Sequence, residues 1–409
     1  MRQQEPAGAP EGIIETAEVP ALPMARPPGC PFDPPEQLAR LRETRPLSRM
    51  SYPDGHVGWL VTSHSLVRAV LADSRFSSRY ELMHYPFPGE IVTEMPPAAI
   101  GDITGIDPPE HTHYRQLLTG KFTVRRMRLL TERAEQIASE HLDEMARQGP
   151  PVDLVQAYAQ PIPALMICEL LGVPYADHEF FQRQAATMSN LDAGMDEQSV
   201  ALTALHEHLR GLLPAKRAEP TDDLLSDLAG TDLTDTELAG IGSFLLGAGL
   251  ATTANSLALG TFALLRHPEQ FATLRDDPDV TDRAVEELLR YLSIAHTGAR
   301  AALEDVELGG QLVRAGETVT LSAQAANRDP ERFSDPDTLD LRRRSTGHVA
   351  FGHGIHQCLG QQLARVQMRV AFRALVTRFP TLRLAVPADE VPLRTDTSFY
   401  GVHRLPVAW

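Results

Sequence analysis

The most informative stretch of this chain is Phe351-Gly-His-Gly-Ile-His-Gln-Cys-Leu-Gly360. Cys358 stands just before a long segment with helical periodicity, and the amides at a helix N-terminus stabilise a thiolate. Gly354 and Gly360 carry no side chain, so the backbone and a flat cofactor can approach each other closely. Alone, Cys358 could be a buried, inert cysteine in a glycine-rich turn. Against that interpretation stands the spaced set Phe351, Gly354, His356, Cys358 and Gly360.

This spaced pattern resembles the cysteine-ligand signature of the cytochromes P450, and the resemblance covers roughly residues 59–409. It implies the P450 fold, mainly α-helical with small β-sheets, around one buried haem b (iron protoporphyrin IX). Cys358 would be the axial ligand of the iron, and His356 would bind a propionate at the haem edge. Such a thiolate pushes electron density onto the iron, which favours O–O cleavage. The resemblance assigns three more loop positions to haem binding: Phe351, Gly354 and Gly360.

A second pattern, Glu287-x-x-Arg290, lies in a predicted helix, where positions three apart share one face. Surface helices contain many such pairs, so the pattern alone is weak. By resemblance it is the family's buried Glu-x-x-Arg pair, which an Arg from the irregular stretch before the Cys loop completes. Glu331-Arg332 lies too early in the chain for that position, and Arg343 matches it better. We expect these residues to hold the Cys loop and to take no part in the chemistry.

His111 and Arg115 are four apart and therefore share one helical face. Two cationic donors on one face suit a carboxylate, although each could equally be an ordinary surface charge. By resemblance both bind haem propionates, together with Arg300 from a strand-like segment after the Glu287 helix. His113 is expected to point elsewhere.

The segment Gly247-Ala-Gly-Leu-Ala-Thr-Thr-Ala254 lies in the longest helical pattern, predicted over Asp235–Leu265 after a cap at Thr234. Its small residues permit either helix–helix packing or close approach of a cofactor and O2. A threonine hydroxyl can also hold water in a helix interior. By resemblance this is the family's oxygen-binding groove, in which Thr252 organises proton delivery.

The family usually carries Asp or Glu directly before that threonine, whereas this chain has Ala251. Three consequences are open. Water or a substrate hydroxyl could assist Thr252, the coupling of reductant to product could be poor, or the outcome could shift toward epoxidation or peroxide use. Peroxide-using members typically replace the alcohol as well, so Thr252 weakens that last option. Ala251 is also the only support for the alternative of a non-catalytic haem-binding protein.

The composition narrows the function classes. Lys and Arg number 38 against 54 Asp and Glu, and the net charge of −16 argues against nucleic acid or an anionic membrane as partner. Three cysteines, Cys30, Cys168 and Cys358, form no disulfide framework and fit a reducing compartment. We recognise neither a signal peptide nor a membrane anchor, and therefore expect a cytoplasmic protein.

The chain is predicted to consist of a flexible leader over residues 1–30 and a single haem domain over residues 31–409. His206-Glu-His208 has the composition of a metal site, but residues two apart on a helix do not share a face, which argues against one. The other predicted helices are Ser65–Ala72, Glu132–Arg147, Asp153–Leu171, Asp177–Ser189, Met195–Leu212, Asp282–Tyr291 and Cys358–Arg378. The predicted strands are Gly58–Thr62, Val306–Leu308, Gln311–Val313 and Thr318–Ser322.

The sequence thus predicts a haem-thiolate monooxygenase that inserts one oxygen atom from O2 into a bulky apolar substrate, by hydroxylation or epoxidation, with a peroxygenase as the alternative. Ala326-Asn-Arg-Asp-Pro330 and Leu405-Pro-Val-Ala-Trp409 resemble actinomycete P450s that tailor polyketides, which makes macrolides the expected substrates. No reductase domain is recognised, so a ferredoxin and its NAD(P)H-dependent reductase are the expected partners. The expected pocket walls are the loop 80–100, the helix segment 245–252 with Ala248, residues 294–297 with Ile294 and Ala295, and Phe399.

Overall fold

The computed structural model describes residues 19–27, 29–88, 91–189, 195–394 and 399–409, and their backbone is mainly helical with small sheets, as predicted. The helices are α1 Glu36–Thr44, α2 His64–Ala72, α3 Glu110–Thr119, α4 Val124–Gln148, α5 Pro161–Leu171, α6 His178–Ser189, α7 Met195–Ala218, α8 Leu224–Ala229, α9 Asp235–Arg266, α10 Pro268–Asp276, α11 Thr281–Leu292, α12 Ala323–Ala326 and α13 Gln361–Arg378. The strands are β1 Leu47–Ser51, β2 Val57–Val61, β3 Phe76–Ser77, β4 Val152–Asp153, β5 Thr297–Ala302, β6 Val306–Leu308, β7 Gln311–Val313, β8 Thr318–Ser322, β9 Arg383–Leu384, β10 Leu393–Arg394, β11 Gly401–Val402 and β12 Pro406–Ala408.

The largest sheet has the strand order β1-β2-β8-β5-β3. Its strands β2 and β8 run parallel, with Trp59 opposite Val319, and its other pairs are antiparallel. The strand β8 is buried at every position, and its β-branched residues Thr318, Val319 and Thr320 favour a strand. Three smaller sheets in the described part of the chain join β4-β12-β9, β10-β11 and β6-β7.

The helix α9 forms the centre of the molecule and packs against α5, α7, α11 and α13. Its predicted start is confirmed, since Thr234 Oγ1 accepts a hydrogen bond from the Glu237 amide at 3.3 Å and the Glu237 carboxylate accepts one from the Thr234 amide at 2.8 Å. By length and composition alone α9 could cross a membrane, but 67% of its most apolar window is buried inside the protein. It is apolar on all sides because it is a core helix.

The predicted helix Asp153–Leu171 is wrong as a single element. Val152 and Asp153 belong to β4, a π-helical turn covers Val155–Ala159, and α5 begins only at Pro161. Proline has no N–H for the hydrogen bond to the residue four positions earlier, so a regular α-helix cannot run through this point undisturbed. Asp153 also pairs with Pro406 of β12, a contact from the far end of the chain.

Three helix ends differ clearly from their predictions. Helix α4 begins at Val124 and not at Glu132. The helix α13 begins at Gln361 and not at Cys358, because Gly354–His356 form a 3-10 turn and the chain is extended at Gln357. Helix α7 continues beyond Leu212 to Ala218.

Most of the predicted leader, residues 1–18 and Pro28, lies outside the described residues. Residues 19–27 pack against the rest of the chain: Ala21 bridges Ser51, Leu22 is 5% exposed, and Arg26 donates to Gln324 Oε1 at 3.0 Å. The packed chain therefore starts before residue 31.

Candidate active site

A cavity of about 1170 Å³ lies between α9 and the Cys358 loop. It extends along α9 from Thr236 to Ser256 and is closed by residues from α3, α5, α7, α11, β5 and the loop 99–104. Twelve of the predicted site residues line this one cavity: His111, Arg115, Ala248, Thr252, Ile294, Ala295, Arg300, Phe351, His356, Cys358, Gly360 and Phe399.

The Cys loop is fixed from both sides. The Cys358 amide donates to the Phe351 carbonyl at 2.9 Å, which closes the loop on itself. Gly354 has a φ of +74°, and a Cβ there would lie 2.2 Å from the Leu71 carbonyl oxygen of α2, so only glycine fits. A Cβ at Gly360 would meet no protein atom within 4 Å, although Gly360 lines the cavity.

Two opposing effects act on the Cys358 thiol. Burial raises its pKa, while the Gly360 amide, the Arg115 and Arg365 guanidinium groups and the Gln361 amide act to lower it. These donors come from the start of α13 and from α3, so the positive potential converges on the sulfur from two elements. A cation bound at the sulfur would replace the proton that burial favours.

Four cationic or polar nitrogen-bearing side chains surround the cavity near the Cys loop. Both ring nitrogens of His111, which is 2% exposed, are buried without a hydrogen-bond partner, and so is His356 Nδ1. Arg115 and Arg300 make no ion pair with any carboxylate that the structure describes. Burial lowers the pKa of both guanidinium groups. These buried donors therefore require an anionic acceptor.

His356 is held in the same cluster. Its ring lies 4.1 Å from that of His111, and its Nε2 lies 2.9 Å from Ser78 Oγ. Burial, Arg300 and His111 lower the pKa of His356 to about 3. The Asp107 carboxylate accepts a hydrogen bond from the Ser78 amide at 3.0 Å and thereby holds Ser78 next to His356. His113 on the same helix is exposed, as its position predicts.

Thr252 faces the cavity with its hydroxyl group bonded to its own helix. Its Oγ1 donates to the Ala248 carbonyl at 2.8 Å, which leaves the oxygen lone pairs as acceptors. The helix α9 runs unbroken through this bond. Ala251 is half-buried and does not line the cavity.

The comparisons with known proteins agree with this geometry. The family model "Cytochrome P450" matches residues 179–406. The chain is 50% identical to "Cytochrome P450 105C1" of Streptomyces sp. over 92% of this chain and 96% of that protein. The chain belongs to the cytochrome P450 family. It is also 46% identical to "Pentalenic acid synthase" of Streptomyces avermitilis, over 93% of this chain and 95% of the relative. The solved structure of CYP105P1 in complex with filipin I superposes with a TM-score of 0.88 at 42% identity, covering 96% and 99% of the two chains.

The protein is therefore a P450 monooxygenase, an oxidoreductase, and its cofactor is haem b. The residues present fit this group. A thiol stands in the wall of the cavity, and the unpartnered nitrogens of His111 and His356 line the same cavity as Arg115 and Arg300. Carboxylates such as haem propionates need donors of this kind.

The P450 Cys loop rests on a buried ion network. Arg290 donates to both oxygens of Glu287 at 2.8 Å, and Arg343 Nε donates to the same carboxylate at 3.1 Å. Ser345 Oγ donates to it at 2.5 Å. Arg332, which the sequence analysis rejected in favour of Arg343, does not join this network and donates a hydrogen bond to the Thr346 carbonyl at 2.6 Å. The network thus joins α11 to the irregular stretch that precedes Cys358.

The sequence analysis did not identify a second, partly buried network in this P450. Glu286, directly before Glu287, accepts from Arg365 Nε at 2.5 Å and lies 3.1 Å from His348 Nε2. Burial alone would raise the pKa of Glu286, but His348 and Arg365 lower it to about 2. The Arg365 guanidinium also stacks over the Phe351 ring at 4.6 Å. The doubled Glu286-Glu287 sequence is the signal that could have revealed this network.

Only some of the residues expected to form the pocket walls line the cavity. From the loop 80–100, the residues Tyr80, Ala99 and Ile100 line it, while Gly89 and Glu90 lie outside the described residues. Ala295 and Phe399 form an isolated antiparallel β-bridge, which holds these two wall residues next to each other. His206, considered in the sequence only as a metal ligand, also lines the cavity. No group of three metal-binding side chains occurs among the residues described.

Proposed function

We propose that this P450 inserts one oxygen atom from O2 into a bulky apolar substrate, by hydroxylation or epoxidation, in a tailoring step on a macrolide-like polyketide. The observation that carries the proposal is the 1170 Å³ cavity, whose walls include Phe244, Leu245 and Ile294. The name of one relative, pentalenic acid synthase, and the filipin bound to another support a bulky secondary metabolite as substrate.

We assign the haem-binding functions as follows. The Cys358 thiolate would ligate the haem iron, and His111, Arg115, Arg300 and His356 would donate hydrogen bonds to the propionates. When bound, the haem supplies the redox chemistry that activates O2. The protein orients the substrate above it, excludes bulk water and positions the groups that move protons.

Thr252 is assigned to proton delivery. Its hydroxyl hydrogen is donated to the Ala248 carbonyl, so its oxygen can accept a hydrogen bond from a water molecule or a substrate hydroxyl. Ala251 supplies no acid beside it. A substrate hydroxyl or ordered water in the cavity therefore completes the proton path, and this dependence makes coupling sensitive to the substrate.

Electrons come from a separate ferredoxin and its NAD(P)H-dependent reductase, as is general among bacterial P450s. We further propose that residues 31–409, together with the packed residues 19–27, act as a single haem domain in the cytoplasm. The net charge of −16 supports a location away from anionic lipid and nucleic acid.

The test is an optical titration of the ferric protein with macrolactones, terpenoids, steroids and fatty acids, followed by turnover of the ligands that bind. A saturating low- to high-spin shift with a macrolactone, and an oxygenated product with ferredoxin, reductase and NADPH, is the expected result. Shifts with other classes only would contradict the macrolide assignment. Product formed on hydrogen peroxide alone, at the rate of the ferredoxin system, would show a peroxygenase.

A further inference from the structure

His206 and His208, two positions apart on α7, have separate environments. His208 Nε2 lies 3.1 Å from an Asp177 carboxylate oxygen, and its ring packs against Phe180 and Phe181. His206 points the other way, toward α9, and lines the substrate cavity. The same helical geometry that argues against a shared metal site therefore places one histidine in the cavity and the other outside it.

The hydrogen bonds around His206 define its tautomer. Ser243 Oγ donates its only hydrogen to the Ala239 carbonyl at 2.9 Å. The same oxygen lies 3.1 Å from His206 Nδ1, and it can only accept there. Neutral His206 thus carries its hydrogen on Nδ1, which leaves a lone pair on Nε2. This Nε2 has no hydrogen-bond partner among the residues that the structure describes.

Other polar groups beside His206 are already engaged. Thr203, which lines the same part of the cavity, donates its hydroxyl hydrogen to the Ser199 carbonyl at 2.8 Å. The wall from here toward Thr252 is formed on α9 by Phe244, Gly247 and Ala248, none of which has a polar side chain. His206 Nε2 is thus an acceptor at the edge of an apolar surface, the arrangement by which pockets fix the orientation of a ligand.

The distance between His206 and the proposed reaction centre follows from α9. Ser243 and Thr252 are nine residues apart on this helix, and a rise of about 1.5 Å per residue separates them by about 14 Å along its axis. A molecule that contacts both His206 and the region of Thr252 must span that length.

We propose that His206 is a specificity-determining residue, whose Nε2 accepts a hydrogen bond from a hydroxyl group of the substrate about 14 Å from the oxidised carbon. The inference rests on the proposed function and narrows its substrate class to elongated or large-ring alcohols with an apolar far end. Ser243 is a positioning residue, since it holds the imidazole through Nδ1 and leaves Nε2 for the substrate.

The test uses the ferric holoprotein and two simple probes of suitable length, dodecanol and its parent alkane dodecane. Dissociation constants come from the spin-state shift. We expect His206→Ala to weaken dodecanol about three- to tenfold, the range of one neutral hydrogen bond, while dodecane changes less than twofold. His206→Gln offers an amide oxygen as acceptor and should restore most of the dodecanol affinity.

His208→Ala is the matched control, because it removes a histidine from the same helix without touching the cavity, and both affinities should stay unchanged. An equal loss for both probes in His206→Ala, or no loss, would overturn the proposal. So would the absence of any dodecanol shift in the unaltered protein. The titration reports binding alone, so a failure here leaves the oxygenation test standing, and a lack of oxygenated product leaves this binding result standing.

Discussion

Arg290 and Glu287 form an ion pair at 2.8 Å in which both side chains are 0% exposed. The three remaining Arg290 hydrogens go to the carbonyls of Asn327, Pro336 and Thr338 at 2.9, 2.8 and 3.4 Å. The pair therefore connects α11 to the irregular chain on the way to Cys358. Its desolvation is tolerated because every strong donor has an acceptor.

Removing one charge of this pair should be costly. Glu287→Gln leaves Arg290 buried without a countercharge, and we expect the free energy of unfolding to fall by about 3 kcal/mol or more. Urea denaturation of the holoprotein followed by circular dichroism measures this. Glu36→Gln, which breaks the exposed pair with Arg40, should change little, since both partners are well exposed at 66% and 77%. Equal effects of the two substitutions would contradict the account.

Arg115 should govern how tightly haem is held. Arg115→Ala removes a charge-assisted donor from a buried cluster, and haem should transfer to an excess of apomyoglobin about tenfold faster. His113 lies on the same helix but is exposed, so His113→Ala should leave the rate of haem loss unchanged. A haem-loss rate for Arg115→Ala equal to that of the unaltered protein would argue against the propionate assignment.

Thr252 should control coupling because no acid at Ala251 can replace it. In Thr252→Ala we expect the product formed per NADPH to fall at least about tenfold while NADPH consumption continues. Thr252→Ser retains the hydroxyl and should stay close to the unaltered protein. Quantifying product and NADPH in the same reaction checks this. Full coupling in Thr252→Ala would assign proton delivery to the substrate or to water alone.

Glu286 should stabilise the protein in a defined pH range. Its pKa falls from an ordinary 4.5 to about 2 in the folded chain, so its contribution is complete above pH 4.5 and is lost as the pH falls toward 2. Glu286→Gln should destabilise the protein at neutral pH by on the order of 2 kcal/mol and flatten the pH dependence of stability in that window. Thermal unfolding midpoints from pH 7 to 3 measure both effects. An unchanged acid slope would contradict the assigned pKa.

Local patterns carried most of the correct predictions. The start of α9 follows from its capping box, and the predicted bounds of β6, β7 and β8 agree with the structure. The Cys358 loop could be found because its glycines and its thiol lie within one short segment. Such features depend on neighbours along the chain.

The failures depend on tertiary contacts. Asp153 was assigned to a helix, but it pairs with Pro406, and the two residues are distant in sequence. His206 was weighed only against its neighbour His208, whereas its function depends on Ser243 of another helix. The partners of Glu286 likewise come from α13 and from the irregular stretch before Cys358. Periodicity within one segment contains no information on which distant segment will face it.

The central claim, that Cys358 ligates the haem iron, is tested most directly by the absorption spectrum of the ferrous carbon monoxide complex. The unaltered protein and Cys168→Ser should show the red-shifted Soret band of thiolate-ligated haem, because Cys168 is buried in the core away from the cavity. Cys358→His should shift this band to the position of imidazole-ligated haem. A thiolate-type band that persists in Cys358→His, or disappears in Cys168→Ser, would contradict the account.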